Sequence, residues 1–371
     1  MSTLRIGIDA RLTYYRVGGI STYIARLVDA IERLQDSTID LTVFHSRKMP
    51  RDKRIGSRSR HASLWTPSHH RLERWSLSAE LLPHRLDVFH STDFIPPLRG
   101  GRRHVISVHD LNFLLYPQFL TAESRRYYND QIRFAVRRAD HILTISQSSK
   151  QDIMALLDVP GEKITVTLLA ADERFRPLDE DTLSSAREAL RLPEGYLLYF
   201  GTFEPRKNLL GLAQGYAELL RRLPDAPPLI IAGKRGWLFE DIQTKIEALG
   251  LGEKILLRED IPHDHLPALY NLATALLMPS YYEGFGLPAL EAMACGTVPI
   301  VSNRSSLPEV VGDVGLMVDP DDPRAIAAAM ERALTDAPWR EAQAKQAIRR
   351  AAGFTWESVA RSTLNVYRAV S

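Results

Sequence analysis

Short apolar runs alternate along the chain with longer stretches in which apolar positions recur every three or four residues. The runs are Leu4–Asp9, Leu41–Phe44, Asp87–His90, His104–Val108, His141–Ile145, Tyr196–Phe200, Leu229–Ala232, Lys254–Leu257, Ala275–Met278, Val298–Val301 and Gly315–Val318. Their brevity and hydrophobicity predict buried strands. Ile20, Tyr23, Ile24, Leu27, Val28, Ile31 and Leu34 trace one face of a helix, with Ser21 and Thr22 as candidate caps. Charged amphipathic helices are predicted over Asp321–Leu334 and Thr355–Tyr367. Strands and helices in regular alternation predict an α/β protein with parallel sheets covered on both faces. The periodicity fades over Ala171–Glu188, which places a linker near Asp172–Pro177. The 371 residues then divide into a first domain, 1–172, a linker and first helix, 173–190, and a second domain, 191–354, with a terminal helix within 355–371.

Composition narrows the class. A chain 45% hydrophobic and 25% charged is globular, and a net charge of +2 carries no general signal for nucleic acid. Cys295 is the one cysteine, which excludes an internal disulfide framework and fits a reducing compartment. The first apolar segment is too short for a signal-peptide core, and no run reaches membrane-spanning length. The expectation is a cytoplasmic protein, or one held peripherally on the inner face of a membrane. Arg47–Trp75 departs from the general balance, with nine Lys/Arg against two acids and Trp65 and Trp75 interleaved. Such a segment is either a solvated loop and helix or a patch for anionic lipid or a lipid-diphosphate acceptor.

Candidate chemistry concentrates in Ala275–Val301, ALLMPSYYEGFGLPALEAMACGTVPIV. A strand leads to a loop with Glu283, Gly284 and Gly286, and then to Pro288, suited to the first turn of a helix. Glu291 is expected in that first turn, where the helix dipole favours negative charge. Two carboxylates thus bracket a glycine-rich helix N-terminus at the carboxyl end of a strand, the edge where open α/β sheets bind ligands. A carboxylate suits a vicinal diol and the helix terminus suits an anion, so a sugar nucleotide fits. Elsewhere, Gly18-Gly19 before a helix lets backbone approach a pyrophosphate, although such a pair also simply shapes a loop. Arg206 and Lys207, at the exit of a strand, suit a leaving pyrophosphate. His109-Asp110 closes another strand. No DxD pair sits in a strand-end loop; Asp319–Asp322 is nearest, where capping is the simpler reading.

The spacing of Glu283 and Glu291 within EGFGLPALEAMACGTVPIV resembles the signature of the retaining GT-B glycosyltransferases of family 4. The wording is most similar to bacterial mannosyltransferase-like enzymes of surface-polysaccharide assembly. The resemblance implies two Rossmann-like domains facing across a cleft, with the C-terminal helix crossing back to the first. It also implies metal-independent, cofactor-free transfer of a hexose, mannose from GDP-mannose first, to a saccharide or lipid-linked acceptor. By the same resemblance the catalytic set is His109, Arg206, Lys207 and Glu283. Gly18, Gly19, Gly233, Phe285, Gly286, Leu287 and Glu291 bind the donor, with Glu291 on the ribose and backbone near 258–261 around the base. His109 orients the sugar near the reacting carbon. Ser146–Lys150 resembles a serine-rich turn of the family, and capping alone also explains it. Many relatives carry arginine directly after the glycine of GTFEPRKN, where this chain has Thr202.

Two other readings compete. Gly284–Ala289 also matches GxGxxA, the dinucleotide fingerprint of NAD-dependent oxidoreductases, with Glu309 as the ribose acid. A nucleotide-sugar-binding protein without catalysis would keep the same residues. Glu283 reads as an exposed loop charge, so Glu283→Ala is expected to leave stability nearly unchanged.

Overall fold

The computed structural model describes residues 3–15, 18–70, 72–119, 122–236, 239–259 and 261–371; Arg71 of the basic segment and Asp260 beside the expected base site lie outside them. The chain forms two compact units, Met1–Leu169 with Thr355–Ser371, and Ala170–Phe354. Residues 173–190 belong to the second unit, and their helix runs over Glu180–Leu190.

The first unit carries β1 (Leu4–Asp9), β2 (Ile39–Ser46), β3 (Arg60–Leu64), β4 (Leu86–Ser91), β5 (Gly101–Ser107), β6 (His141–Thr144) and β7 (Ile164–Val166), in the spatial order 3-2-1-4-5-6-7. The second carries β8 (Leu197–Phe203), β9 (Leu229–Arg235), β10 (Ile255–Arg258), β11 (Ala275–Met278), β12 (Val298–Ser302) and β13 (Leu316–Val318), in the order 10-9-8-11-12-13. Every pairing among them is parallel. Both sheets therefore reverse their winding beside the first strand of the unit, between β1 and β4 and between β8 and β11.

Two strands have no counterpart in the hydrophobic pattern. β3, RHASL, and β7, ITV, are edge strands, and an edge needs fewer inward apolar residues than a central position. β8 and β9 run further than their apolar cores, with Gly201, Thr202 and Phe203 paired to Gly233, Lys234 and Arg235. Glycine is required at 233: its φ is +145° and a Cβ there would lie 1.8 Å from the Gly201 carbonyl oxygen.

The helix Gly19–Arg33 buries Tyr23, Ile24, Leu27, Val28 and Ile31. Gly18 caps it without a side chain, and Thr22 lies inside, its hydroxyl donating to the Gly18 carbonyl at 3.2 Å, so neither Ser21 nor Thr22 is the cap. The C-terminal helix Trp356–Val370 packs against it within the first unit. There the buried Tyr367 hydroxyl is hydrogen-bonded to His90 Nδ1 at 2.6 Å, and Arg368 pairs with Asp36. In the second unit Leu197, Tyr199, Phe203, Leu212, Tyr216, Ile231 and Met330 share one core. Each such side chain contributes roughly 1.5–3 kcal/mol on burial. Among the described residues no helix is long and apolar enough to cross a membrane.

Candidate active site

The two loops that flank the winding reversal of the second sheet follow β8 and β11. The first is fixed by Asn208, whose φ of 57° is left-handed and whose side-chain oxygen accepts from Gly211 N–H to cap the helix Leu209–Arg222. Its amide nitrogen donates to the carbonyls of Pro279 and Pro320 at 3.1 and 2.7 Å, tying this loop to the next. Lys207 and Glu283 then meet face to face. Lys207 Nζ lies 2.6 and 2.7 Å from the two Glu283 oxygens, and Arg206 adds a contact of 3.2 Å to Oε2. Arg206 Nε is also 2.7 Å from Glu204. Both Lys207 and Glu283 are buried. Burial alone would raise the Glu283 carboxyl, but Lys207 and Arg206 outweigh it and hold the group below its ordinary range. Burial, joined by Arg206, lowers the Lys207 ammonium.

Glu283 is therefore no exposed loop charge. Ser280 Oγ donates to Oε1 at 2.8 Å, and the Glu283 N–H donates to Ser305 Oγ at 2.9 Å. Ser306 Oγ lies 2.8 and 2.9 Å from the carbonyls of Glu283 and Phe285. Phe285 is itself buried, so its backbone is the part that can face a ligand. Gly286 ends the loop at φ +104°, where a Cβ would sit 2.6 Å from Leu307, and the helix Leu287–Ala294 begins with Pro288 in its first turn.

Glu291 falls one turn further in than the sequence suggests, because the helix starts at Leu287. It is held by side chains rather than by the dipole: the Tyr270 hydroxyl donates to Oε2 at 2.9 Å. Burial pushes the Glu291 carboxyl up to about 7, against the opposing influence of Tyr270 and Arg174. The family resemblance assigns Glu291 to the ribose hydroxyls, and a carboxylate accepts from hydroxyls more strongly than a neutral carboxyl, so on that assignment donor affinity is expected to fall as pH drops through this value. The stability effect has the opposite sign. A carboxyl raised in the folded state contributes stability below its unfolded pKa that is lost as pH rises through the folded one. Glu291→Gln should therefore weaken donor binding yet stabilise the fold at pH 8 by on the order of 1–3 kcal/mol. Calorimetric titration and urea unfolding at pH 5 and pH 8 check the two halves separately.

The corresponding edge of the first sheet is also polar. His109, half-buried, donates from Nε2 to the Thr92 carbonyl at 2.9 Å and packs edge-on against Tyr23 at 4.9 Å. Burial holds its imidazole below the usual histidine range, despite nearby Asp93 and Asp110, so it is neutral at pH 7. Beside it stand groups that sequence reading did not single out. Arg11, fully buried, makes a fork with Asp9 at 2.9 and 2.6 Å, reaches Glu73 at 2.5 Å and donates to the Thr66 carbonyl at 2.8 Å. His69 Nε2 meets Asp93 at 2.6 Å. Asp9 ends β1, Arg11 follows it, Thr66 and His69 follow β3, Glu73 opens the helix Glu73–Leu81, and Asp93 follows β4; Asp9 was the only one in a legible position. At Gly18 and Gly19 an added Cβ would meet nothing within 4 Å, so the protein's own packing does not demand glycine at either.

The serine-rich turn caps a helix: Ser146 accepts from Ser149 N–H, and Ser149 Oγ donates to the His109 carbonyl at 3.1 Å. Asp322 caps the helix Pro323–Thr335, while Asp319 and Asp321 both pair with Arg304.

Residues 181–350 match the family of glycosyl transferases group 1, and residues 17–172 match glycosyltransferase family 4. The chain is 36% identical over 302 residues to an O-antigen chain mannosyltransferase B of Escherichia coli, covering 81% of this chain and 78% of that one. The chain belongs to the family 4, group 1 glycosyltransferases. In fold this glycosyltransferase is similar to sucrose-phosphate synthase of Thermosynechococcus elongatus, at a TM-score of 0.79 and 22% identity over 99% of both chains. It is also similar to the Anabaena protein HepE in complex with UDP-glucose, at a TM-score of 0.76 and 17% identity over 99% of this chain and 100% of that one. Both units are thus those of a GT-B glycosyltransferase. The dinucleotide reading of Gly284–Ala289 falls, because the whole loop 279–286 separates β11 from its helix and the glycines do not follow the strand directly.

Within the second unit the structure brings Arg206, Lys207 and Glu283 into one cluster, with Phe285 and Gly286 on the loop that continues from it and Leu287 at the start of the following helix. Glu291 stands apart, on Tyr270. Gly233 serves the β8–β9 pairing. Gly18, Gly19 and His109 lie in the first unit.

Proposed function

We propose that this glycosyltransferase moves mannose from GDP-mannose, with retention and without a metal, to a saccharide or lipid-diphosphate-linked acceptor in surface-polysaccharide synthesis. The observation that carries the chemistry is the clamp of Lys207 and Arg206 on Glu283 beside the helix Leu287–Ala294. Fixed cations and the N–H groups of a helix terminus can stabilise charge growing on a leaving diphosphate, the task a metal performs elsewhere. The choice of mannose rests on the name of the Escherichia coli relative. Retention by front-face attack, with the leaving phosphate taking the proton, is favoured over a covalent intermediate. A double displacement needs a carboxylate free to attack, and both Glu283 oxygens are engaged by Lys207. His109, neutral and tethered through Nε2, suits a group that orients a sugar hydroxyl. Peripheral contact with anionic lipid is supported by Trp65 and Trp75, which are 69% and 58% exposed, and by Arg47 stacked 3.9 Å above the Trp65 ring.

The test is a mass-spectrometric screen of GDP-mannose, UDP-glucose, UDP-galactose, UDP-GlcNAc and ADP-glucose with EDTA present and phosphatidylglycerol vesicles added in parallel. GDP released from GDP-mannose despite EDTA, and sedimentation with the vesicles, is the expected result. Turnover that needs Mg²⁺ restored overturns the metal-free part. Release of a different diphosphate overturns the donor, and binding without turnover favours a nucleotide-sugar-binding protein.

A further inference from the structure

The cluster that would receive a diphosphate is already neutral. Arg206 and Lys207 face two carboxylates, Glu204 and Glu283, at ion-pair distance. A nucleoside diphosphate brings at least two negative charges, and a helix N-terminus offers only about half a positive charge. The tip of β8 adds none, since Thr202 stands there. A further cation is needed at this edge, and one is present without a counter-ion. Lys234 is exposed and, among the described residues, has no ion pair or hydrogen bond, whereas its neighbour Arg235 is held by Glu259 at 2.7 Å.

The strand register places Lys234 on the face of the sheet away from the core shared by Tyr199 and Phe203. β8 and β9 stay paired past Gly201 and Gly233, so Thr202 and Lys234 are direct neighbours on parallel strands. Alternate residues of a strand point to opposite faces. Tyr199 and Phe203 of β8, with Leu229 and Ile231 of β9, point into the shared core. Phe200, Thr202 and Lys234 are therefore on the other face, where the Phe200 ring meets Tyr270 at 5.9 Å and Tyr270 holds Glu291. Neighbouring strands lie about 5 Å apart, so Lys234 stands one strand from the loop that carries Arg206 and Lys207.

We propose that Lys234 is a further donor-binding residue whose ammonium meets the diphosphate of the nucleotide sugar. The assignment rests on the nucleotide-sugar reading above. It is tested by isothermal titration of the wild type, Lys234→Met and Lys234→Arg with GDP, GMP, UDP and UMP, alongside urea unfolding. Lys234→Met should weaken binding of the preferred diphosphate about tenfold, the scale of one charge-assisted hydrogen bond, and change the monophosphate less than threefold. Lys234→Arg should restore most of the difference, and the unfolding midpoint should not move, because the residue is exposed. Diphosphate affinity unchanged in Lys234→Met, or equal losses for diphosphate and monophosphate, overturns the proposal while leaving the nucleotide-sugar reading intact. A wild type that binds none of the four nucleotides removes that reading and the proposal with it.

Discussion

Glu283→Ala is expected to lose transfer by a factor on the order of 10²–10³ and to lose about 3–5 kcal/mol of stability at the same time. The second loss follows from the geometry. Removing the carboxylate takes the hydrogen-bonded counter-ion from the buried Lys207 ammonium and leaves Arg206 opposing its charge, with Glu204 as the remaining carboxylate that favours it. The two effects can be separated by adding Lys207→Met. With the stranded charge gone, stability should recover in large part, because breaking one partner of a buried pair costs more than replacing both. Turnover should not recover, since the double variant lacks both the carboxylate and the cation that the proposed function assigns to the donor. Urea midpoints and initial rates on all three variants decide the matter. A single variant that unfolds like the wild type would mean that the ion pair does not form in solution, and retained turnover would remove Glu283 from the reaction.

Arg11→Met is expected to cost about 3–5 kcal/mol, although Arg11 touches none of the residues assigned to the donor. Its guanidinium is the counter-ion of both Asp9 and Glu73, and all three are buried. Methionine fills much of the same space, so the loss should be electrostatic rather than a cavity effect. Burial already raises the Glu73 carboxyl, and Arg11 works against that rise. Without Arg11 the Glu73 carboxyl protonates more readily, so the deficit should be full above neutral pH and shrink as pH falls. Guanidinium unfolding of wild type and variant at pH 8 and pH 5 checks this. A deficit of the same size at both pH values would assign the loss to packing.

The sequence showed what depends on regular spacing and on motif wording. Central strands such as β11 and the first part of β8 are apolar throughout because they are covered on both faces, so their positions were readable. The edge strands β3 and β7 were not, since an edge can be built from RHASL or ITV. The same limit applies to the sites. Glu283, Arg206 and Lys207 stand out in local motifs, but nothing local shows that they neutralise one another. That fact comes from two loops 76 residues apart meeting at one sheet edge. For that reason Glu283 looked exposed and Glu291 looked like a dipole partner, while Arg11, Glu73, His69 and Asp93 carry no local motif that singles them out. Ser305 and Ser306, which hold the backbone of the Glu283 loop, lie some twenty residues further on, outside the motif.

The C-terminal helix has a consequence for synthesis. Residues 170–354 form one uninterrupted unit and can close as soon as they leave the ribosome. The first unit cannot, because Trp356–Val370 is part of it. Until that helix emerges, His90 lacks Tyr367 and the outer face of the helix Gly19–Arg33 lacks its cover. Domains usually fold in the order in which they are made, but here the segment synthesised first must wait, with apolar surface open, for the whole second unit to be translated. During that interval the half that keeps apolar surface uncovered is the N-terminal one.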